Sequence, residues 1–252
     1  MFCGVKARIE YDKMEASMNK TLKGLILAAV IYSLVGCATT SSQPGRPLEQ
    51  QLLVDEARLS VDTFAVDPDM EWFRKYLKDA RGVLIVPNLY KGAWFLGGSG
   101  GRGVLLLREQ EAGTWSGPAF YTLGSVSFGL QFGGQKSEAI ILVMTRKGIE
   151  SLKKTSVKLG GEASIAAGPV GMSAQAATAP SLKVDYIVFA RTKGAFVGVS
   201  LDGAVIDVNS EWNKAYYGKP VTPTDIFQGD GLRNPDAAEL RAAVAHASVS
   251  SQ

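Results

Sequence analysis

Residues 82–145 form a long run of strand signals interrupted by glycine, and this run constrains the fold more than any other part of the chain. It starts with the apolar segment 83–86 and ends with the apolar segment 139–144. Over 125–132, apolar residues alternate with small or polar ones, which is the period of a strand with one buried face. The chain is therefore predicted to fold around a β-sheet.

The tract 97–103 is glycine apart from Ser99 and Arg102. Glycine at this density indicates tight bends, or strand backbones packed without side chains between them. The tract also fits G-x-G-x-x-G, but a dinucleotide site needs a helix after that motif, and 104–107 resembles another strand. A serine nucleophile at Ser99 would need a histidine, and the chain has only His246, near its end. The tract is therefore predicted to be structural and the protein to be no enzyme.

Charge and composition exclude further classes. The chain of 252 residues is 46% hydrophobic and 20% charged, as in an ordinary globular protein. Its net charge is +3, but residues 1–36 hold five Lys or Arg and three acids, so the remainder has 22 basic against 21 acidic residues. A nearly neutral body argues against nucleic acid as a partner. With one histidine and no usable cysteine pair, we expect neither a metal nor another cofactor.

The N-terminal segment has the order of a secretion signal. Lys20 and Lys23 precede an apolar run over 25–31, and Leu34-Val35-Gly36-Cys37 resembles the lipobox of bacterial lipoproteins. The run is shorter than the ~20 residues that a membrane-spanning helix needs. We predict a signal peptide over 1–36, lipid attachment at Cys37 with its palmitate-type acyl chains, and an outer-membrane, periplasm-facing location. Met18 is a better signal start than Met1, which suggests that 1–17 is a misassigned extension.

The remaining chain divides into a flexible tether over 37–48, a domain over 49–228 and a C-terminal helix and tail over 229–252. Apolar residues recur at helical spacing from Leu53 to Phe64, and Asp67-Pro68 is a plausible start for a second helix.

Further strands are expected over 157–165, and a meander is expected over 184–191, 195–201 and 204–208, with a hairpin turn at Asp202-Gly203. The predicted fold is α+β, with a strongly curved, barrel-like antiparallel β-sheet covered by N- and C-terminal helices.

Several blocks along the chain resemble the SYLF domain, in the order in which that family has them. They are 80–87, the glycine tract with 103–105, 115–120, 127–133, 168–169, 194–203 and 213–218. The resemblance covers about residues 50–228. It implies a lipid-binding module, since eukaryotic members bind phosphoinositides, whereas fungal endocytic members are catalogued as actin-binding.

We expect the lipid function, and not the actin function, to apply here. Actin binding in the family is tied to the cellular setting and to flanking segments, and the lipobox points to an envelope without actin. The expected partner is a membrane lipid with an anionic, phosphoinositide-like headgroup. An alternative is an envelope scaffold whose SYLF surface contacts another protein.

Two basic clusters are candidates for contact with lipid headgroups. Arg74, Lys75 and Lys78 share the polar side of the second helix, and a solvated helix face is the alternative interpretation. The second cluster comprises Lys153, Lys154 and Lys158, and Lys91 and Arg102, which also occur near turns and strand ends, are further basic candidates for contact with phosphate. No catalytic residue is predicted.

Overall fold

The structure is a computed structural model that describes residues 48–93, 96–109, 114–128, 133–169, 184–192, 201, 203–228, 232 and 234–249. Residues 46–252 form one compact unit. The predicted signal peptide and Cys37 lie outside the described residues, as does nearly all of the tether, so these features remain predictions.

Two helices precede the sheet, as the sequence predicts. They are α1 (Leu48–Val66) and α2 (Glu71–Asp79), and a 3-10 turn at Pro68–Met70 connects them. The Asp67 carboxylate accepts a hydrogen bond from the Asp69 N–H at 3.0 Å, and Pro68 follows where no amide donor is needed. The predicted start of the second helix is therefore confirmed.

The described strands are β1 (Gly82–Ala93), β2 (Leu96–Arg108), β3 (Trp115–Phe128), β4 (Gly133–Val143), β5 (Ser156–Lys158), β6 (Ile165–Ala167), β7 (Tyr186–Thr192) and β8 (Val205–Val208). They form one sheet in the order β5-β8-β3-β2-β1-β4-β7-β6. Neighbouring strands are antiparallel except β6 and β7, which are parallel.

The two ends of this sheet are joined by a short segment. Leu159 follows the edge strand β5 and Ala163 precedes the edge strand β6, and a bridge pairs the two residues. The Gly160 N–H donates to the Ala163 carbonyl at 2.9 Å. Because residues beside both edges meet, the sheet curls into a half-barrel, which confirms the predicted fold class.

The remaining helices are α3 (Arg146–Lys153) between β4 and β5, then α4 (Ser210–Tyr217), α5 (Pro223–Gln228) and α6 (Ala238–Val249) after β8. A 3-10 turn at Pro235–Ala237 leads into α6. The outer face of the sheet packs under α1, α2, α4 and α6, and it includes Val83, Ile85, Val104, Leu106, Phe120 and Phe189. The inner face of the curl holds a second core, which includes Leu84, Leu105, Tyr121, Leu123, Ile141 and Val188.

A bulge in β1 lies opposite the glycine tract. Ile85 pairs with Val104 and Asn88 pairs with Arg102, so β1 has two residues where β2 has only Gly103. A Cβ atom on Gly103 would lie 2.7 Å from the Ile85 carbonyl oxygen. The tract is therefore in part a close approach of two strand backbones, as the sequence indicates.

The predicted meander is wrong. β8 lies between β3 and β5, whereas β7 lies at the other end of the sheet between β4 and β6. The segment 195–200 lies outside the described residues. Gly203 does turn the chain, with φ of +79°, and the Ala204 N–H donates to the Leu201 carbonyl at 3.0 Å.

Candidate functional site

Ser99 does not lie in the geometry that a serine nucleophile requires. It belongs to β2, which continues as a strand through Arg108, whereas a nucleophile elbow needs a strand-to-helix turn. The Ser99 hydroxyl is 2.6 Å from the Ser125 hydroxyl on the neighbouring strand. His246 lies on α6, and no hydrogen bond joins it to Ser99 within the part of the chain that the structure describes.

A polar cluster around Asp185 is the most deeply buried carboxylate site among the described residues. Its oxygens accept hydrogen bonds from the Thr145 hydroxyl and from the Ser164 amide and hydroxyl, and the ammonium of Lys147 is 3.3 Å away. Burial by itself raises the pKa of Asp185, but these hydrogen bonds outweigh it and hold the pKa below its ordinary value. The ionised carboxylate thus fastens the start of α3 to β7 and is poorly suited to accept a proton near neutral pH.

Two buried tyrosines hold α3 against the inner core. The Tyr121 hydroxyl donates to the Leu152 carbonyl, and the Tyr186 hydroxyl donates to the Gly148 carbonyl, each at 2.7 Å. Burial raises the pKa of both hydroxyls, so they remain protonated donors over the physiological pH range. Sequence reasoning missed this anchoring, which fixes the helix that carries Lys153.

Lys153, Lys154 and Lys158 lie along the end of α3 and the following strand β5. Lys153 pairs with Glu150 at 2.9 Å and its side chain is 18% exposed, whereas Lys154 and Lys158 are exposed. The predicted second cluster therefore presents two outward-facing lysines and one that is largely covered.

Arg74, the first member of the predicted cluster on α2, contacts the backbone. Its guanidinium donates to the Ala65 carbonyl at 3.1 Å and to the Asp67 carbonyl at 2.7 Å. Those carbonyls end α1 and begin the connecting turn, so Arg74 fastens the two helices together. Its charge remains, but its donors are engaged at this junction.

Lys75 and Lys78 are exposed on the outer side of α2, next to two half-buried aromatic rings. Lys75 lies 4.6 Å from the centre of the Trp72 ring and pairs with Glu71 at 2.6 Å. The Trp72 and Tyr76 rings are 5.8 Å apart. By contrast, Phe73 and Leu77 are buried in the core. The helix thus uses its apolar side for folding and leaves lysines and amphipathic rings at the surface.

A row of polar side chains crosses four strands. The sequence offered Lys91 as a basic candidate but did not show which side chains lie beside it. Ser125 on β3, Ser99 on β2, Lys91 on β1 and Gln135 on β4 are successive partners in the strand register. Directly paired residues point to the same face of a sheet, so the four side chains share one face. The alternation of polar and apolar residues in β3 was a signal for part of this row.

No described helix combines the length and apolar composition that crossing a membrane requires. Among the described residues, no three His, Cys, Asp or Glu side chains are grouped so that they could hold a metal ion.

Comparison with known proteins identifies the domain. Residues 124–247 match the Ysc84 family, described as "Las17-binding protein actin regulator". LAS seventeen-binding protein 3 of Saccharomyces cerevisiae is 32% identical over 166 residues, which is 65% of this chain and 36% of the yeast protein. The human SH3 domain-containing YSC84-like protein 1 is 26% identical over 162 residues, or 64% of this chain and 47% of that protein. The chain thus spans less than half the length of these curated relatives.

The prediction that excluded actin is contradicted by these relatives. It attributed actin regulation to flanking segments and cellular setting, but the family described as an actin regulator is matched by residues 124–247, within the fold itself. The exclusion therefore has no basis in the residues of the domain.

The family description names binding and regulation and no chemical reaction. The fold agrees with the blocks that resemble SYLF, since the glycine tract, β3 and β4 all belong to the central sheet. Residues 124–247 of the chain therefore match the Ysc84/SYLF family.

Proposed function

We propose that this protein is a noncatalytic lipid-binding lipoprotein, anchored through Cys37 to the outer membrane of a bacterial envelope and facing the periplasm. The lipobox-like sequence Leu34-Val35-Gly36-Cys37 supports the anchor. The observation that carries lipid binding is the exposed side of α2, where Lys75 and Lys78 stand beside Trp72 and Tyr76. Lysine with half-buried Trp and Tyr is typical of side chains at a lipid interface.

The burial of α2 determines which kind of membrane contact it supports. Phe73 and Leu77 are fully buried against the sheet and neighbouring helices, so they are not available for insertion into acyl chains. The remaining contact is peripheral and electrostatic. It requires an anionic surface, and it should weaken as salt rises, because exposed charges are screened.

We expect Lys75→Gln/Lys78→Gln to weaken binding to anionic vesicles about ten- to thirtyfold, because each basic residue near such a surface contributes about 1 kcal/mol. Cosedimentation of a chain that begins at Arg46 with vesicles of phosphatidylcholine and phosphatidylglycerol measures the effect. Such a chain contains every described helix and strand. Arg74 is left intact, because its hydrogen bonds to Ala65 and Asp67 make its replacement a test of folding.

The control for this variant is Lys214→Gln/Lys219→Gln, which removes the same charge from exposed lysines at the end of α4 and just after it. Equal losses for the two double variants would show that only net charge matters and would contradict a site on α2. If binding survives Lys75→Gln/Lys78→Gln unchanged, the site should be sought at Lys154 and Lys158.

The anchor has its own test. We expect Cys37→Ser to move the full chain from the membrane fraction to a soluble or unprocessed form, because the sulfur that would carry the lipid is gone. Fractionation of bacterial cells that express each form measures this. Unchanged partitioning of the Cys37→Ser chain into the outer membrane would contradict the lipoprotein proposal. It would not bear on the proposed binding to anionic vesicles, which is measured without the anchor.

A second candidate, an envelope scaffold that contacts another protein, is favoured by the outer side of α1. Four large apolar side chains there are exposed, Leu48 at 65%, Leu52 at 58%, Leu59 at 54% and Val66 at 80%. At 100° per residue they fall within about 40° of one another around the helix. The helix also carries more acidic than basic residues, which disfavours an anionic membrane and favours a protein surface with apolar contacts and a basic rim. The name of the yeast relative, a LAS seventeen-binding protein, agrees with a protein partner for that relative.

A further inference from the structure

The polar row of Ser125, Ser99, Lys91 and Gln135 lies on the inner face of the curled sheet. Two residues further along three of these strands are Leu123, Gly101 and Leu89, which pair across the sheet in the same way. Leu89 and Leu123 are each 2% exposed and belong to the inner core. Because residues two apart in a strand point to the same face, the row continues the inner core toward the glycine-rich end.

The chemistry of this face changes from mainly apolar to polar toward the row. One level below the row, the inner face has Leu89, Gly101 and Leu123, with Ser137 beside them on β4. The row itself carries hydroxyl, ammonium and amide groups. Gln135 donates to the Thr192 hydroxyl at 2.6 Å, and the hydroxyls of Ser137 and Thr192 are 3.1 Å apart. The polar surface thus extends from β3 across to β7 and borders the apolar inner core on one side.

Lys91 contributes a positive charge to this surface, and it is exposed. Its direct partners in the register are Ser99 and Gln135, which are neutral. Within the described ranges, no carboxylate forms an ion pair with it. Lys136, which lies near the same level, is on the opposite face, 5.7 Å from the centre of the Tyr90 ring.

We propose that Lys91, Ser99 and Ser125 form a binding site for a phosphate group. Where that phosphate belongs to a lipid headgroup, the site rests on the lipid-binding function proposed above and specifies where the headgroup binds. An ammonium and two hydroxyls supply donors to phosphate oxygens, and hydrogen bonds with an ionised partner are the stronger kind. The row contains no carboxylate that would repel the anion. The Ser99 and Ser125 hydroxyls, which bond each other at 2.6 Å, have the rotational freedom to turn toward a ligand.

Lys91→Gln tests the site, with Lys136→Gln as the matched control. Both changes remove one positive charge from exposed lysines at the same end of the sheet, but only Lys91 lies on the inner face. We expect Lys91→Gln to weaken binding about tenfold, equivalent to about 1.4 kcal/mol, and Lys136→Gln to change it less than twofold. Ser99→Ala/Ser125→Ala keeps the lysine and should weaken binding by a smaller factor.

Two probes distinguish the sources of the phosphate. One is vesicles of phosphatidylcholine with phosphatidylglycerol, and the other is inorganic phosphate followed by amide shifts in NMR spectra. If binding depends on Lys91 with the vesicles but not with inorganic phosphate, the ligand is a lipid headgroup. If binding to inorganic phosphate also depends on Lys91, a free phosphate is sufficient for binding at the site. If the two lysine variants behave alike with both probes, the site is refuted, even where the vesicles still bind. If the unaltered chain ignores vesicles but binds phosphate through Lys91, the lipid function fails and the site stands.

Discussion

Gly101→Val is expected to prevent stable folding or to lower the free energy of unfolding by more than about 4 kcal/mol. A Cβ atom at this position would lie 2.5 Å from the Asn88 carbonyl oxygen and 2.9 Å from a methyl group of Val86. The first of these atoms is backbone and cannot rotate away, so the two strands would have to separate at the bulge of β1. Effects of this size arise when packing at a fixed backbone position is overfilled.

Gly124→Val is the control for this change. Gly124 is a strand glycine on β3, paired with Gly100, and a Cβ atom added to it would meet nothing within 4 Å. Its replacement should alter the free energy of unfolding by less than about 1 kcal/mol, since β-branched residues suit strands. Urea denaturation followed by circular dichroism measures both variants. Similar stabilities would show that the strands do not approach as closely as described. A Cβ atom on Gly98 would lie 3.4 Å from the Ser125 carbonyl oxygen, much farther than the nearest atom to Gly101. The expected effect therefore depends on the crowding at each glycine and not on the loss of glycine itself.

Asn213→Leu is expected to lower the free energy of unfolding by about 2 kcal/mol. Asn213 on α4 is fully buried, and its side chain accepts from the Phe120 N–H at 2.8 Å and donates to the Phe120 carbonyl at 3.3 Å. The side-chain amide thus supplies the partner of the Phe120 N–H, since β8 begins to pair with β3 only at Tyr121. Leucine fills similar space but leaves the buried Phe120 N–H without a partner, at about 1–3 kcal/mol, whereas the Phe120 carbonyl still accepts from the Asn209 N–H at 2.9 Å.

The matched change is Asn209→Leu, one turn earlier. The Asn209 side chain caps α4 by accepting from the Trp212 N–H at 3.0 Å, and loss of a helix cap costs about 1 kcal/mol. Thermal and urea denaturation of both variants give the comparison. An Asn213→Leu protein that is no less stable than Asn209→Leu would contradict the role assigned to this buried amide.

Local elements could be predicted from the sequence because their signals are local. The periodicity of α1, the Asp67-Pro68 start of the next helix and the alternation within β3 each depend on residues a few positions apart. The meander prediction failed for the opposite reason. The pairing of β8 with β3 and β5 joins segments far apart in the chain, and adjacency in sequence gave the wrong neighbour for it.

The polar row shows why a basic residue can be proposed from the sequence while its neighbours in space cannot. Lys91 faces the inner side only because β1 bulges between Ile85 and Asn88, since an unbroken alternation would place it with Val83 and Ile85 on the outer face. A shift of one residue exchanges the two faces of a strand. The hydrogen bonds of Arg74 could not be predicted for a similar reason. They join its guanidinium to the carbonyls of Ala65 and Asp67, and they depend on the angle between two helices.

The most direct test of the central proposal is sedimentation of the unaltered chain from Arg46 onward with vesicles of phosphatidylcholine, with and without phosphatidylglycerol, at low and high salt. We expect the protein to sediment with the anionic vesicles, to remain in solution with the neutral ones, and to be released from the anionic vesicles as salt rises. Equal binding to both kinds of vesicle, or no binding to the anionic vesicles at low salt, would contradict it.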